Sequence, residues 1–320
     1  MKNHGTPFLY LNLTFLETFR YLSVIPYKII LSLTKDVIMN KKNPFKKIGL
    51  FGIIYLGFFF ISSALFADHS STYASLAKAT NTKSSNAYAF EKCRELQAKP
   101  FDKNIKKKKV IIVGDSQGCD FLNSALENGY LKNYQIQFRF IPYPCQTVPG
   151  EYISRYIKPK HRRFCTEKGR TDNLKAAKEQ VQKADVLIFA SLWKPEVAQK
   201  LPKIINYLKS KKQQKLIVVG NKFFGKLAIN DYFHMTNKEL RSVRTEVGTK
   251  SMEINSILEK KTHGKIAFVD PHKLVCGNST SCPIFTQNLQ LISYDGRHLT
   301  KAGARYMGRI MFQNSVLGRI

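Results

Sequence analysis

Val110-Ile111-Ile112-Val113-Gly114-Asp115-Ser116-Gln117 is a short apolar run that stops at a glycine, an acid and a hydroxyl. Four consecutive β-branched residues bounded by turn formers predict a strand buried on both faces. Strands of that kind belong to parallel sheets covered on both sides by helices. The rest of the chain carries the same pattern: further strands are expected at Lys109–Val113, Gln135–Ile141, Asp185–Phe189, Lys215–Val219 and Ile266–Val269. Helical periodicity falls between them, near Gln117–Asn128, Thr171–Lys183, Pro195–Lys209, Asn237–Lys261 and Lys301–Phe312. Strict alternation predicts an α/β fold, an open parallel sheet covered by helices on both faces. Sites in such sheets lie at the carboxyl ends of the strands, where Gly114-Asp115-Ser116 sits.

Upstream the chain divides. Ile48–Ala67 (IGLFGIIYLGFFFISSALFA) is a 20-residue run without charge, long enough to span a bilayer as a helix. Lys41, Lys42, Lys46 and Lys47 crowd its N-terminal side, and Asp68 with a Ser/Thr/Ala-rich stretch follows it. The positive-inside rule then puts the bulk of the chain outside the cytoplasm. The expected organisation is a cytoplasmic or weakly hydrophobic segment at 1–47, a transmembrane helix or signal anchor at 48–67, a linker at 68–92 and a catalytic domain at 93–320. The corresponding location is the inner membrane, single-pass, with the domain periplasmic or otherwise extracytoplasmic. A cleaved signal peptide is the competing reading, with Met39 as an internal start and Ser62-Ser63-Ala64 as a small-residue cleavage site. Phe8–Leu33 is apolar but broken by Glu17, Arg20, Pro26 and Lys28, so whether it spans is left open.

Six cysteines, Cys93, Cys119, Cys145, Cys165, Cys276 and Cys282, all lie beyond the apolar run, which suits disulfides in an oxidising compartment. Proximity in sequence suggests Cys276 with Cys282 and Cys145 with Cys165, leaving Cys93 to Cys119, among the 15 pairings that six cysteines allow. No pair has the two-residue spacing of a zinc knuckle, so no metal is expected. No cofactor is expected either. The net charge of +30, from 52 Lys+Arg against 22 Asp+Glu, invites a nucleic-acid reading. No zinc finger, basic zipper or stacking-platform motif supports it; the remaining readings are a merely solvated surface, which is the default, or an exported face toward anionic lipid or acidic polysaccharide.

The chemistry rests on two segments. A serine hydroxyl needs a base to take its proton. Of seven histidines, His298 in Tyr294-Asp295-Gly296-Arg297-His298-Leu299-Thr300 has an acid three residues earlier to hold its other ring nitrogen. Ser116 as nucleophile, His298 as base and Asp295 as orienting acid form the candidate triad. Asp270-Pro271-His272 is a competing acid–base pair, and Cys119 a competing nucleophile better read as a disulfide partner.

Val113-Gly114-Asp115-Ser116 with Asp295-x-x-His298-Leu299-Thr300 resembles the SGNH (GDSL-like) hydrolase superfamily, over roughly Cys93 to the C-terminus. More narrowly it is similar to the SGNH domain at the C-terminus of membrane acyltransferases that O-acetylate bacterial surface polysaccharides. Pro144-Cys145, Ala184–Trp193 and the Cys276/Cys282 pair carry that closer likeness. The resemblance implies a three-layer α/β/α fold of flavodoxin-like type and acyl-ester chemistry: an O-acyltransferase, with a stand-alone esterase or polysaccharide deacetylase, or a non-catalytic polysaccharide-binding module, as alternatives. It also implies a cell-surface polysaccharide or lipopolysaccharide as partner and, since the chain holds at most two membrane segments, a separate multi-pass membrane acyltransferase supplying acyl groups. In the wider superfamily the oxyanion hole adds a glycine after the second strand and an asparagine after the third to the serine amide. Here the third strand ends in Ser191-Leu192-Trp193, and Gly220-Asn221 follows the fourth. Besides the Ser116 amide, the oxyanion candidates are therefore Asn221 and Gly150. Trp193, the only tryptophan, is a substrate-side candidate as a sugar platform, or a packing residue.

Overall fold

The computed structural model describes residues 72–208, 213–264 and 266–320. In chain order the labelled elements are helix α1 (72–80), α2 (Thr82–Glu95), strand β1 (Lys108–Gly114), α3 (Ser116–Leu126), β2 (Tyr134–Phe140), α4 (Leu174–Lys183) and β3 (Val186–Ala190). There follow α5 (Leu201–Leu208), β4 (Lys215–Val219), β5 (Arg244–Glu246), α6 (Lys250–Thr262), β6 (Ala267–Val269), α7 (Pro271–Cys276), β7 (Ser281–Pro283) and α8 (Lys301–Gln313). Five strands form one parallel sheet in the order β2-β1-β3-β4-β6. β5 and β7 form a separate antiparallel pair.

The run that opens the sequence reading explains the layering. Val110 and Ile112 point into one core and Ile111 and Val113 into the other, all 0–2% exposed. The first core is closed by α2, α3 and α8 through Cys93, Leu122, Met307 and Phe312. The second is closed by α4, α5 and α6 through Val181, Ile204 and Leu258. Period-two alternation feeds both, which is what burial on two faces requires.

Two expectations change. The stretch read as a linker is helical: Thr72, Leu76 and Ala79 on α1, then Ser85, Ala89 and Cys93 on α2, are buried at helical spacing. Apart from Leu76 its stripe is built from Ser, Ala, Thr and Cys, small residues that carry little hydropathy signal although they pack closely. The folded body thus takes in residues well before Cys93, from Thr72 onward among the described residues. The single helix expected over 237–261 is two, Asn237–Ser242 and α6, separated by β5. Gly248, at φ +66°, makes the turn between β5 and α6. The segments at 1–47 and 48–67 lie outside the described residues. Among the described residues no helix is long and apolar enough to cross a membrane.

Candidate active site

The sheet order reverses beside β1, since the chain passes from β1 to β2 on one side and then to β3 on the other. The crevice beyond β1 and β3 is the ordinary ligand position of such a sheet. Ser116 stands there as the first residue of α3, and Asp115 caps that helix by accepting from Gln117 N at 2.9 Å. Gly114 is obligatory, because a Cβ on it would lie 1.8 Å from the Ala190 carbonyl oxygen. The serine is therefore delivered by a strand end pressed against β3.

Asp115 is 3% exposed and also accepts from Leu192 N at 3.0 Å with both carboxylate oxygens. Burial pushes its carboxyl up to about 6, against the pull of those amide bonds and of Lys222. The acid beside the nucleophile is thus a brace between β1 and β3.

His298 sits in a turn written by Asp295. The Asp295 Oδ1 accepts from Arg297 N at 2.8 Å and His298 N at 2.7 Å, while Oδ2 meets His298 Nδ1 at 2.6 Å. Burial alone would raise the Asp295 carboxyl; the bonds from His298 outweigh it and hold the group below the usual carboxylate range. With Nδ1–H donated to a carboxylate, Nε2 is left as the lone-pair nitrogen. Gly296, at φ +82°, permits this turn, and a Cβ there would strike the Gly225 carbonyl. Phe90 of α2 and Tyr294 flank the imidazole, with ring centroids at 5.5 and 5.8 Å.

Ser116 and His298 line one cavity of about 790 Å³, together with Asn221 and Trp193. Asn221 is 1% exposed; its Oδ1 accepts from Trp193 N at 2.8 Å, and its Nδ2 is buried without a partner. A buried amide donor left unpaired is costly, and this one belongs to a side chain on the cavity wall. The amide of Ser116, first in its helix, likewise has no intrahelical acceptor.

Other candidates fall away from the site. Gly150 lines a different depression with Cys145 and Tyr207 and is not among the residues around Ser116 and His298, so the structure does not bring it to the site as an oxyanion donor. Trp193 is 3% exposed, donates Nε1–H to Val219 O at 2.9 Å and packs on Phe189. It forms part of the cavity wall but has no open face for stacking, which corrects the platform reading. His272 is 2% exposed with Nε2 against Ser279 O at 2.9 Å, and Asp270 caps α7; neither lines the cavity. The six cysteines form Cys93–Cys119, Cys145–Cys165 and Cys276–Cys282.

Sequence reading missed the frame behind the triad. Asp120, one turn after Ser116 and 0% exposed, pairs with Lys222 Nζ at 2.6 Å and accepts from Leu299 N at 3.1 Å. Lys222 Nζ also donates to Arg297 O at 2.5 Å, and Gln117 exchanges two hydrogen bonds with the Lys222 backbone. One buried ion pair thereby ties the serine helix to the histidine turn. The only signal was an acid at the fourth position after Ser116, on a helix otherwise buried along most of its length.

A family model described as the SGNH domain fused to AT3 domains matches residues 79–313. Among solved structures, the C-terminal catalytic domain of Streptococcus pneumoniae peptidoglycan O-acetyltransferase A, with a methylsulfonyl adduct, is similar at 11% identity and a TM-score of 0.32. That match covers 66% of this chain and 94% of that one. A Plasmodium falciparum glycerol-3-phosphate dehydrogenase is similar at 14% identity and a TM-score of 0.20, covering 57% and 42%. No curated protein matches.

Proposed function

Since the chain belongs to the SGNH domain family found fused to AT3 domains, an acyltransferase or esterase family, we propose that it is an O-acyltransferase working through an acyl-Ser116 intermediate. The acyl group is acetyl and the acceptor a hydroxyl of cell-surface polysaccharide or lipopolysaccharide. The observation that carries this reading is the Asp295–His298 pair at 2.6 Å, with its imidazole on the same cavity wall as Ser116.

In the first half-reaction His298 Nε2 takes the Ser116 proton as Oγ attacks the carbonyl carbon of an activated acyl donor, an ester or thioester. The Ser116 amide and Asn221 Nδ2 hold the oxyanion. The donor's leaving group departs with the proton from His298. In the second, a sugar hydroxyl attacks the acyl-serine carbonyl and gives its proton to His298. The bond between the acyl carbonyl carbon and Ser116 Oγ then breaks, and His298 returns the proton to Oγ. Asp295 keeps the imidazole in one tautomer throughout.

The apolar run at 48–67, the lysines before it and three disulfides support an extracytoplasmic domain anchored in the inner membrane. A multi-pass membrane acyltransferase is the proposed acyl supplier. The test uses the full chain in detergent with an acetyl-ester reporter and an oligosaccharide acceptor, weighing the products. Ser116-dependent turnover with acetylated sugar is expected. Release of acetate alone at saturating sugar would instead identify an esterase or deacetylase. Turnover equal in parent and Ser116→Ala would leave a non-catalytic polysaccharide-binding module.

A further inference from the structure

Charge around the cavity is lopsided. Its wall includes Arg94, Arg170, Lys222, Lys250 and Arg297, and a single carboxylate, Asp115. Asp115 is committed to the Leu192 and Gln117 amides, and Lys222 to Asp120. Four cations remain, and among the described residues Arg94, Lys250 and Arg297 have no carboxylate partner. Elsewhere on this basic surface lysines and arginines do find acids, as Lys92 does with Glu95, Lys183 with Glu179 and Arg305 with Glu127. With 52 Lys and Arg against 22 Asp and Glu, unpaired cations occur across the surface; what sets this cavity apart is that they line one wall with a single carboxylate that is already committed.

Two of these groups are also prearranged. The Arg94 guanidinium lies 3.7 Å over the Phe140 ring and donates to the Arg170 carbonyl at 2.7 Å. Arg170 lies 4.9 Å over Phe164 and keeps Glu167 at 3.1 Å. Partial burial first, and the Arg170 charge second, lower the basicity of Arg94. Arg94 Nη1 is taken by Gln97 Oε1 and the Arg170 carbonyl, and Arg170 Nη1 by Glu167; the Nε and Nη2 groups are the edge left to match the paired oxygens of a carboxylate or phosphate. Like charges held this close are relieved by an anion between them.

We propose that the acceptor is an acidic glycan, a saccharide bearing carboxylate or phosphate, whose anionic group docks at Arg94 and Arg170 while Arg297 and Lys250 complete the field around the hydroxyl to be acylated. The inference rests on the acyl-transfer reading for its chemistry, but recognition is measured separately. Full-length protein is given matched oligosaccharides, one neutral, one with hexuronate units and one phosphorylated. Equilibrium binding to Ser116→Ala protein is measured beside product formation by the parent.

The acidic sugars are expected to bind at least ~10-fold tighter than the neutral one, as loss of one charge-assisted contact implies. The preference should shrink several-fold at ~0.5 M salt. The Arg94→Gln/Arg170→Gln variant should bring the acidic-to-neutral ratio close to one. A preference confined to hexuronate assigns carboxylate as the docked group, and one confined to the phosphorylated sugar assigns phosphate. Equal affinity for all three sugars, or a preference untouched by the double variant, would overturn the proposal. Acid-selective binding without Ser116-dependent turnover would uphold the recognition and sink the acyl-transfer reading instead.

Discussion

Replacing Lys222 by methionine removes one half of the buried pair that joins α3 to the histidine turn. Lys222 Nζ and Asp120 Oδ2 are 2.6 Å apart, with side chains 7% and 0% exposed. At an effective dielectric of about 20, charges at that distance attract by roughly 6 kcal/mol before desolvation is counted. Most of that attraction offsets the cost of burying two ions, so the net worth of the pair is small. Removing one partner is another matter, because the Asp120 carboxylate is left buried and uncompensated, at a cost of about 3–5 kcal/mol. The bond to Arg297 O goes too. Urea unfolding followed by Trp193 fluorescence should show that loss as a lower midpoint at an unchanged slope. Adding Asp120→Asn keeps an acceptor for Leu299 N while removing the stranded charge, and it should recover about 2 kcal/mol or more. If Lys222→Met costs under about 1 kcal/mol, or if the two substitutions simply add, the pair is not the tie described above.

Asn221→Asp keeps the acceptor for Trp193 N but removes the Nδ2 donor; kcat on an acetyl-ester reporter should fall ~10²–10³-fold with KM little moved, and a loss under about fivefold would exclude the oxyanion role. Asp295→Asn should lower kcat by up to ~10⁴-fold while the far-UV spectrum stays as in the parent; near-normal turnover would point to another orienting group. Burial raises the folded-state carboxyl of Asp115 to about 6 from its ordinary 3.8, so it favours folding fully below about pH 4 and loses that contribution as pH rises through 6. The unfolding free energy should drop by roughly 3 kcal/mol over that window, and Asp115→Asn should flatten the drop in a urea titration series; an unchanged profile refutes it. Cys93→Ser/Cys119→Ser opens a loop with a sequence separation of 26 and should cost about 3.5 kcal/mol by chain entropy, read as a lower melting temperature; no change in melting would contradict a supporting role for α2.

What could be read in advance follows from how residues advertise themselves. The sheet was legible because Val110–Val113 and Val186–Phe189 are apolar runs too short for helices, punctuated by Gly114 and by Ser191-Leu192-Trp193. The Asp295–His298 pairing was legible because its spacing is local, a single turn. α1 and α2 were not, because apart from Leu76 their buried stripe is Ala, Ser, Thr and Cys, which pack by shape and not by hydropathy. Lys222 and Asp120 were not, because a buried ion pair is made by two elements 102 residues apart, and each alone looks like a surface charge. Gly150 was named from its place after β2, whereas only the path of the chain from Cys145 to Cys165 decides which way that loop faces.

The helical pair at 72–95 also settles where this catalytic unit can be cut. Asn123 Nδ2 bonds the Tyr88 and Ala89 carbonyls, Tyr294 OH bonds Asn86, and Phe90 and Arg94 stand in the cavity wall. A fragment starting at Cys93 would keep Ser116, Asp295 and His298, yet it would lack Phe90, which is one side of the imidazole and part of the cavity wall. The portable piece therefore begins at the helices. A graft of this domain onto another protein keeps the whole cavity only if those first two helices travel with it.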